Sequence, residues 1–482
     1  MGLYILICFT LMPIKEMQIE INKLIDEILD DCTPTDSEKI HLNNVAKKVK
    51  DFITNFVSDG DNYGFVKDVV FGGSFAKGTW LKKETDIDIF VKFDSQMDVK
   101  DFENYGKEIG LKSLKDFSPY LRYADHPYVE AYVETVKVNI VPCFDVSFGK
   151  WKSAADRSPF HTLYVVNSLD NYKKNQVRLL KKFLRSLNVY GAEISRKGFS
   201  GYVSEILIIK FGSFLSTLDY FSNFDVNKNV IDLDNNLIDV DNLKKRFNSF
   251  LIILDPVDSN RNLGTAISPL SAGTFIQGSK VFLRNPSNDF FVDIKKIRYV
   301  DPALIELLSA SILITEFEFS FRAPDIIWGQ LQKTMNSISK FIESNGFKII
   351  KNVCFTDERE HCVLAFLMES VTIPRLYKRV GPDIFRDNDA VKFVKSNSIS
   401  PVKWIASDNR LNCLLLRDFI DAREYLEFVF MNKPDLIGIP NGLKSDFLST
   451  VQVYSVDQQK NISEHVKNTI FELLYTDSRL FK

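Results

Sequence analysis

The chain has few of the residues that build metal clusters and disulfide frameworks. Its 482 residues include five histidines and six cysteines, namely Cys8, Cys32, Cys143, Cys354, Cys362 and Cys413. The cysteines lie far apart and form no C-x-x-C pair, which argues against a structural zinc site and a disulfide framework and fits a reducing compartment. The scarcity of histidine also argues against a metal site built from imidazoles.

Long apolar runs and a basic excess are absent as well. No run reaches the roughly 20 residues that span a bilayer, so we expect no membrane and a cytoplasmic location. The apolar stretch 3–12 lacks the flanks of a signal peptide, and we predict that residues 1–16 are a non-native or disordered extension before a true start at Met12 or Met17. The formal charge is −2, so binding of RNA requires basic residues gathered on one surface.

The most informative segment is 72–93, GGSFAKGTWLKKETDIDIFVKF. Asp86 and Asp88 lie in an apolar strand pattern, and alternate side chains of a strand share a face, roughly 7 Å apart. With no cationic partner between them, these carboxylates repel each other unless a hard cation such as Mg²⁺ binds there. Gly73 and Ser74 begin a turn whose amides and hydroxyl can hold a triphosphate. A hairpin with two solvated carboxylates is the alternative.

The segment resembles the signature of polymerase-β-like nucleotidyltransferases, most closely the archaeal, class I CCA-adding enzymes. That signature has Gly-Ser, a basic residue three positions later, Thr-Trp-Leu and an acidic-x-Asp strand, here Gly73-Ser74, Lys77, Thr79-Trp80-Leu81 and Asp86-Ile-Asp88. Further motifs follow in the family's order at 122–129, 155–161, 176–181, 189–193, 198–202 and 255–262. The resemblance is strong over residues 20–280 and faint afterwards.

The resemblance implies a role for each matching residue. Asp86 and Asp88 would ligate the catalytic Mg²⁺ ions. The residues implied to bind the nucleotide are Gly73, Ser74, Lys77, His161, Lys181, Tyr190 and Arg261, of which Arg261 would reach the base edge. Each of the last four has a structural alternative. His161 could simply form a hydrogen bond within the fold, and Lys181 could belong to the solvated side of its helix. Tyr190 could lie in the core, and Arg261 could form an ion pair with Asp255 or Asp258.

One position departs from the family pattern. The third metal-binding carboxylate would lie on the strand 136–143, where this chain has Asn139. An amide oxygen can coordinate a metal but carries no charge, so we expect Mg-nucleotide to bind while addition is slowed by a factor of ~10² or more. Asp145 lies past Pro142, and we do not expect it to substitute.

The patterns predict an α+β multidomain protein. Residues 17–165 form the nucleotidyltransferase head, with helices preceding a small mixed or antiparallel sheet that includes strands at 66–71 and 87–93 and a hairpin of 128–134 with 136–142. A mainly helical central domain follows at 166–275, including an apolar helix 201–215 capped by Ser200. An α/β RNA-binding body and tail at 276–482 would contain strands near 281–283 and 290–297, a helix at 302–313 and paired strands at 348–356 and 359–368.

Basic residues are densest in the C-terminal part. The group consists of Arg375, Tyr377, Lys378, Arg379, Arg386, Lys392 and Lys395, and the stretch 375–382 reads as a basic loop. We predict that Arg375, Lys378 and Arg379 contact the acceptor-arm phosphates of a tRNA. An ordinary solvated face is the alternative.

The resemblance predicts addition of C, C and A to the tRNA 3′ end from CTP and ATP with Mg²⁺. A poly(A)-polymerase-like or oligoadenylate-type enzyme would keep the same head with another substrate, and a tRNA-binding protein that has lost catalysis would fit Asn139. The sequence leaves the oligomeric state open, a homodimer included.

Overall fold

A computed structural model of the protein describes residues 14–59, 63–84, 86–123, 126–233, 240–293, 299–459 and 461–481. The chain forms two units, one made of residues 1–298 with 477–482 and the other of residues 299–476. The predicted N-terminal extension lies mostly outside the described residues, and the first described helix begins at Ile14. The predicted domain limits at 165 and 275 stay predictions.

The first unit contains ten α-helices and seven strands among its described residues. Its helices are α1 Ile14–Cys32, α2 Asp36–Asp59, α3 Gly73–Lys77, α4 Val99–Ser113, α5 Arg157–Ser168, α6 Asn171–Ser186, α7 Gly201–Phe211, α8 Phe214–Ser222, α9 Val240–Phe247 and α10 Pro269–Arg284. Its strands are β1 Val66–Gly72, β2 Asp86–Asp94, β3 Tyr120–Tyr123, β4 Pro127–Val133, β5 Val136–Asp145, β6 Val230–Ile231 and β7 Ile252–Ile253.

The five-stranded sheet of this unit has the order β1-β2-β5-β4-β3. Strand β2 pairs antiparallel with β1 and parallel with β5, whereas β5 pairs antiparallel with β4. Ile87, Ile89 and Val91 of β2 are buried in a core that also contains residues of α2 and α4. Because side chains alternate along a strand, the intervening Asp86 and Asp88 face away from that core. The sheet is mixed, as the sequence predicts, and the predicted β4–β5 hairpin is confirmed.

A second core of the same unit joins α1, α5, α6, α7, α8 and α10. Much of the chain's phenylalanine lies there: Phe183 of α6 has its ring centroid 5.5 Å from both Phe214 and Phe282, and 5.7 Å from Phe290. Ser200 caps α7 by accepting the amide hydrogen of Val203, as predicted. The predicted helix 201–215 is nevertheless broken, because Gly212 has a left-handed φ of 83° that interrupts the helical path before α8.

The second unit contains two sheets with helices. Its helices are α11 Pro302–Leu308, α12 Pro324–Ser344, α13 Asp387–Ser396, α14 Ala422–Asn432, α15 Asn441–Thr450 and α16 Glu464–Leu474. Its strands are β8 Ile312–Glu318, β9 Ile349–Thr356, β10 His361–Met368, β11 Leu376–Asp383, β12 Lys403–Ile405, β13 Arg410–Leu416 and β14 Gln452–Ser455.

The larger sheet of the second unit has the order β14-β8-β10-β9 and is buried on both faces. Leu364 and Phe366 of β10 belong to a core shared with α12, α14 and α15, whereas Val363 and Ala365 belong to a core shared with α16. The smaller sheet has the order β11-β13-β12. The predicted pairing of strands near 348–356 and 359–368 is confirmed by β9 and β10.

Several predictions for the chain beyond residue 276 are wrong, in both units. Residues 281–283 belong to α10 rather than a strand, because Val281 and Phe282 complete the apolar side of that helix. Residues 290 and 291 form a 3₁₀ turn, and 294–297 lie outside the described residues. The helix predicted at 302–313 ends at Leu308, after which β8 begins at Ile312. The basic stretch from Leu376 is strand β11 rather than a loop, paired with β13.

Among the described residues, no single helix has both the length and the apolarity needed to cross a bilayer. Helices α7 and α8 reach that threshold only as a pair, by length and composition, and they are bent by 91° relative to one another.

Candidate active site

The two predicted metal-binding carboxylates lie on one face of β2, next to β5. Asp86 pairs in register with Lys137 of β5, and Asp88 pairs with Asn139. All four side chains therefore project from the same face of the sheet, away from the apolar core. The structure thus brings together the three residues predicted for metal binding and catalysis.

The carboxylates have a cationic neighbour that the sequence did not reveal. The ammonium Nζ of Lys137 lies 2.6 Å from Oδ2 of Asp86. Because β2 and β5 are parallel neighbours, residue 137 comes to stand directly opposite residue 86. In the absence of a metal, this lysine relieves part of the repulsion between the two carboxylates.

Asn139 binds Asp88 directly. Its amide Nδ2 donates a hydrogen bond of 2.8 Å to Oδ1 of Asp88. Burial raises the pKa of the Asp88 carboxyl, the neighbouring Asp86 raises it further, and the hydrogen bond from Asn139 opposes the shift. Asn139 is only 9% exposed, and its amide Oδ1 is buried without a hydrogen-bond partner among the described residues.

Gly73 sits against the carboxylate of Asp88. It has a left-handed φ of 62°, and a Cβ atom placed on it would lie 1.9 Å from Oδ2 of Asp88. Only glycine therefore allows the backbone to approach the carboxylate this closely. The same residue begins α3, so the turn that carries Ser74 starts beside the metal-binding face.

The two lysines predicted to bind the nucleotide share one buried acid. Nζ of Lys77 donates to Oε2 of Glu205 at 2.9 Å, and Nζ of Lys181 lies 3.4 Å from Oε1. Lys181 also donates to the carbonyl and hydroxyl oxygens of Thr79, both at 3.1 Å. The solvated-stripe alternative for Lys181 is wrong, because its side chain is 2% exposed.

The charges of Lys77, Lys181 and Glu205 do not cancel. Burial by itself raises the pKa of Glu205, but the ammonium groups of Lys77 and Lys181 outweigh it and lower that pKa. Burial also lowers the pKa of Lys181, against the attraction of Glu205. Two ammonium groups and one carboxylate leave a net positive charge, which favours binding of an anion such as a triphosphate.

His161 lies in a hydrogen-bonded group beside the lysines. Its Nε2 is 2.8 Å from Oδ2 of Asp255, and its ring stacks on Tyr202 with centroids 4.2 Å apart. Tyr202 in turn places its ring 4.9 Å below Nζ of Lys77 and donates its hydroxyl to Asp255 at 3.2 Å. Burial lowers the pKa of His161, although Asp255 opposes the shift. His161 therefore combines a satisfied hydrogen bond with a position close to Lys77.

The last two predicted residues lie at the margins of this group. Burial raises the pKa of Tyr190 to about 12, and the guanidinium of Arg185 lies 4.9 Å from its ring centroid. A Cβ on Gly201 would lie 3.0 Å from the Tyr190 hydroxyl and 3.7 Å from Nζ of Lys181, which places both groups around that glycine. Arg261 pairs with Asp255 at 3.6 Å and is half-exposed, which is the alternative considered for it.

Sequence reasoning missed Lys137 and Glu205. A signal for Glu205 exists, because it is an isolated acid within the apolar helix 201–211, a position where an unpaired charge is costly. Lys137 and Asn139 are two residues apart in β5 and therefore project from the same face of the strand. Only the parallel register of β2 and β5 shows that Lys137 reaches Asp86. That register is a tertiary property that a single sequence does not display.

The residues present fit a divalent cation. Two carboxylates share one face, and the buried Oδ1 of Asn139 needs a partner that a cation could supply. Oxygen donors of this kind suit hard cations. Lys137 occupies Oδ2 of Asp86, so this oxygen becomes available to a cation only when the lysine side chain moves.

Replacing Glu205 by glutamine is expected to destabilise the nucleotide-free protein by about 3–5 kcal/mol, because it leaves two buried ammonium groups without their carboxylate. Added CTP should then stabilise Glu205→Gln more than the parent chain, since the triphosphate replaces the missing negative charge. Denaturant unfolding with and without CTP measures both effects.

The matched control is Asp145→Asn, which removes an exposed pair with Lys92. This change is expected to alter the free energy of unfolding by less than about 1 kcal/mol. Equal stabilities for Glu205→Gln and its parent would contradict the assigned ion pairs.

Three family descriptions match successive parts of the chain. Residues 50–165 match a nucleotidyltransferase domain, residues 175–292 the second domain of tRNA nucleotidyltransferase, and residues 309–435 the C-terminal domain of the CCA-adding enzyme. With the paired carboxylates of β2 beside the Gly73–Ser74 turn, the first match defines the protein as a nucleotidyltransferase. The predicted enzyme class and α+β fold are confirmed.

Similar proteins of known name show which family of nucleotidyltransferases the chain belongs to. The CCA-adding enzyme of Saccharolobus shibatae is 31% identical over 436 residues, which cover 90% of this chain and 96% of that protein. Those of Sulfurisphaera tokodaii and Methanocaldococcus jannaschii are 35% and 36% identical over 82% and 78% of this chain, and over 88% and 84% of their own length. The chain belongs to the CCA-adding enzyme family. The family match also continues to residue 435, well beyond the predicted limit near 280.

Proposed function

We propose that this chain adds C, C and A to the 3′ end of tRNA from CTP and ATP without a template. The observation that carries the proposal is the pair Asp86 and Asp88 on one face of β2, in contact with the Gly73 turn. Nucleotidyltransferases of this family use divalent metal ions, and we propose Mg²⁺ because the donors are carboxylate and amide oxygens.

The chemistry is an in-line displacement at the α-phosphate of the nucleotide. The 3′-hydroxyl oxygen of the tRNA forms a bond to that phosphorus, the bond to the bridging oxygen breaks, and pyrophosphate leaves. Asp86 and Asp88 would hold Mg²⁺, which would neutralise charge on the phosphates and lower the pKa of the attacking hydroxyl. Asn139 cannot accept the released proton, which therefore passes to another base or to water.

The lysine group supports binding of the triphosphate. Lys77 and Lys181 carry one positive charge more than Glu205 neutralises, and Lys77 is the last residue of α3, the short helix that also carries Ser74. We propose that a bound triphosphate draws Lys77 away from Glu205, and that His161 and Tyr190 contact the phosphates or sugar. The assignment of Arg261 to the base edge requires it to leave Asp255.

The substrate assignment is tested with a tRNA that lacks its terminal CCA. We expect incorporation of C from CTP and then A from ATP on this tRNA, with little addition from ATP on an unstructured RNA. Preferential ATP addition to the unstructured RNA would instead identify a poly(A)-polymerase-like enzyme. Tight tRNA binding without incorporation, even after Asn139→Asp, would identify a tRNA-binding protein without catalysis, which only the loss of the third carboxylate favours.

The acceptor-arm surface is proposed on exposed basic residues of the second unit. Lys378 and Arg379 are adjacent in β11, so their side chains leave opposite faces of the strand. Arg379 also donates a hydrogen bond of 3.2 Å to Asn397, which restrains it. The three residues therefore do not form one flat patch. A cytoplasmic location and a homodimer stay predictions.

Reversing the charges in Arg375→Glu, Lys378→Glu and Arg379→Glu together is expected to weaken tRNA binding by at least about 10-fold at moderate salt. The slope of log affinity against log salt should fall by about 0.9 for each phosphate that the variant no longer neutralises. Titrations of labelled tRNA at several salt concentrations measure both quantities.

Lys348→Glu serves as the matched control, because this exposed lysine of the same unit pairs with Glu369 rather than belonging to the basic group. If the triple variant and Lys348→Glu bind tRNA with the same affinity and salt slope, the proposed phosphate contacts are wrong.

A further inference from the structure

Three side chains of types that commonly bind metal ions lie close together in the second unit. Asp357 lies in the turn between β9 and β10, His361 begins β10, and His465 is the second residue of α16. One ligand atom from each side chain lies within 4.8 Å of the others. These residues, here called the Asp-His-His cluster, include two of the chain's five histidines. Scarcity of histidine argued against a metal site built from imidazoles, yet two of the five lie side by side here.

The hydrogen bonds of Asp357 orient its carboxylate toward His465. Its Oδ1 accepts backbone amide hydrogens from Arg359 at 2.9 Å, Glu360 at 3.0 Å and His361 at 2.9 Å. Its Oδ2 is thereby directed elsewhere and lies 4.0 Å from Nε2 of His465. Burial raises the pKa of Asp357, but the three amides outweigh it and lower the pKa, so the carboxylate is ionised near neutral pH.

Ring packing holds the two imidazoles side by side. The centroids of His361 and His465 are 5.0 Å apart at an angle of 31°. The ring of Phe355 in β9 stacks on the imidazole of His465, with the two centroids 5.7 Å apart and an angle of 27° between the ring planes. Imidazoles held side by side can each donate a ring-nitrogen lone pair to one shared cation.

Further oxygen donors and solvent are within reach of the cluster. Oε1 of Glu360 lies 3.5 Å from Nε2 of His361. His361 and His465 also line an open cavity of about 560 Å³, together with Glu316 and Glu318. This cavity offers an entry path for an ion, water as a remaining ligand, and a negative field that attracts cations.

We propose that the Asp-His-His cluster is a binding site for a borderline transition-metal ion, with Zn²⁺ as its natural occupant. Two imidazole nitrogens and one carboxylate oxygen suit Zn²⁺, Co²⁺ or Ni²⁺ rather than Mg²⁺. Zn²⁺ bonds of about 2.0–2.2 Å place tetrahedral ligands roughly 3.3 Å apart. Separations of up to 4.8 Å must therefore shorten by up to about 1.5 Å, which rotation of the two partly exposed imidazoles allows. The bound ion would tie α16 to the β9–β10 hairpin.

Cobalt tests the site in the full-length protein. The chain is stripped with a chelator and titrated with Co²⁺, and we expect visible d–d absorption typical of tetrahedral nitrogen and oxygen ligation, saturating at one equivalent. Zn²⁺ should abolish this absorption by displacement. Co²⁺ bound to the carboxylates of the active site would have only oxygen ligands and water, and octahedral Co²⁺ of that kind absorbs far more weakly.

The variants separate the cluster from general binding. His361→Ala and His465→Ala should each lose the absorption, and Asp357→Asn should weaken Co²⁺ binding about 10-fold or more while its amide oxygen keeps the turn. The control His41→Ala removes an exposed histidine of α2 and should leave the spectrum unchanged. Far-ultraviolet circular dichroism in chelator confirms that each variant is folded.

Absence of the intense absorption in the parent chain would overturn the proposal. An unchanged spectrum in a folded His465→Ala would do so too, as would equal loss in His41→Ala. The result is independent of nucleotide addition, because the readout is the metal spectrum and no tRNA or nucleotide is present.

Discussion

Asn139→Asp is expected to raise the rate of CTP and ATP incorporation by ~10². The added carboxylate would stand opposite Asp88 and supply both charge for the metal that activates the 3′-hydroxyl and an acceptor for its proton. Single-turnover incorporation on a tRNA lacking CCA measures the change, with nucleotide affinity followed separately. We expect affinity for Mg-CTP to change much less than the rate, because Asp86, Asp88 and the phosphates dominate binding of that ion.

No described neighbour of Asn139 supplies the missing charge. Glu130 stands opposite Asn139 on β4, but its carboxylate is bound to the Tyr120 hydroxyl and lies 3.6 Å from Arg122. Asp145 is at the far end of β5 and pairs with Lys92 at 2.8 Å. The expectation that Asp145 does not substitute is supported by this distance along the strand.

Glu130→Gln is the informative control for this experiment. If Glu130 compensated for Asn139, this change would lower the rate of the parent chain, and Asn139→Asp would add little. Equal rates for the parent chain and Asn139→Asp would therefore contradict the role assigned to the third carboxylate.

Asp88→Asn is expected to reduce incorporation by about 10³-fold in the Asn139→Asp background. The change removes the carboxylate that adjoins the Gly73 turn and faces both Asp86 and residue 139. Because burial raises the pKa of Asp88, the charged form is costly in the metal-free fold, and the neutral amide should leave stability unchanged or raise it. Loss of rate without loss of stability is the expected pattern.

Two measurements check this prediction. Incorporation is compared with that of Asp145→Asn, a carboxylate of the adjacent strand outside the site, which should retain its rate. Chelator-stripped protein is then unfolded thermally with and without Mg²⁺ and CTP, and Asp88→Asn should lose the stabilisation by these ligands. Retained activity in Asp88→Asn would refute metal binding at β2.

The strand carrying the carboxylates could be predicted from sequence because it depends on local periodicity. Ile87 and Ile89 alternate with Asp86 and Asp88, and a period of two fixes which side chains share a face. The turn at Gly73 and the β4–β5 hairpin could also be predicted, because each depends on residues that are close together in the sequence. Family motifs then placed the site residues in order along the chain.

Partners across the fold could not be predicted in the same way. The pair of Lys77 with Glu205 joins residues separated by 128 positions, and no periodicity links them. Strand β11 was mistaken for a loop because an exposed edge strand with basic side chains lacks the apolar alternation of a half-buried one. Helix α10 was mistaken in part for a strand because a short apolar run does not distinguish the two structures.

The contact between Lys137 and Asp86 has a practical consequence for handling the protein. Lys137 is a counter-ion within the acidic site, so removal of the metal by a chelator leaves Asp86 paired with a positive charge. We therefore expect purification in EDTA to yield folded material that regains activity on simple addition of magnesium, with no refolding step.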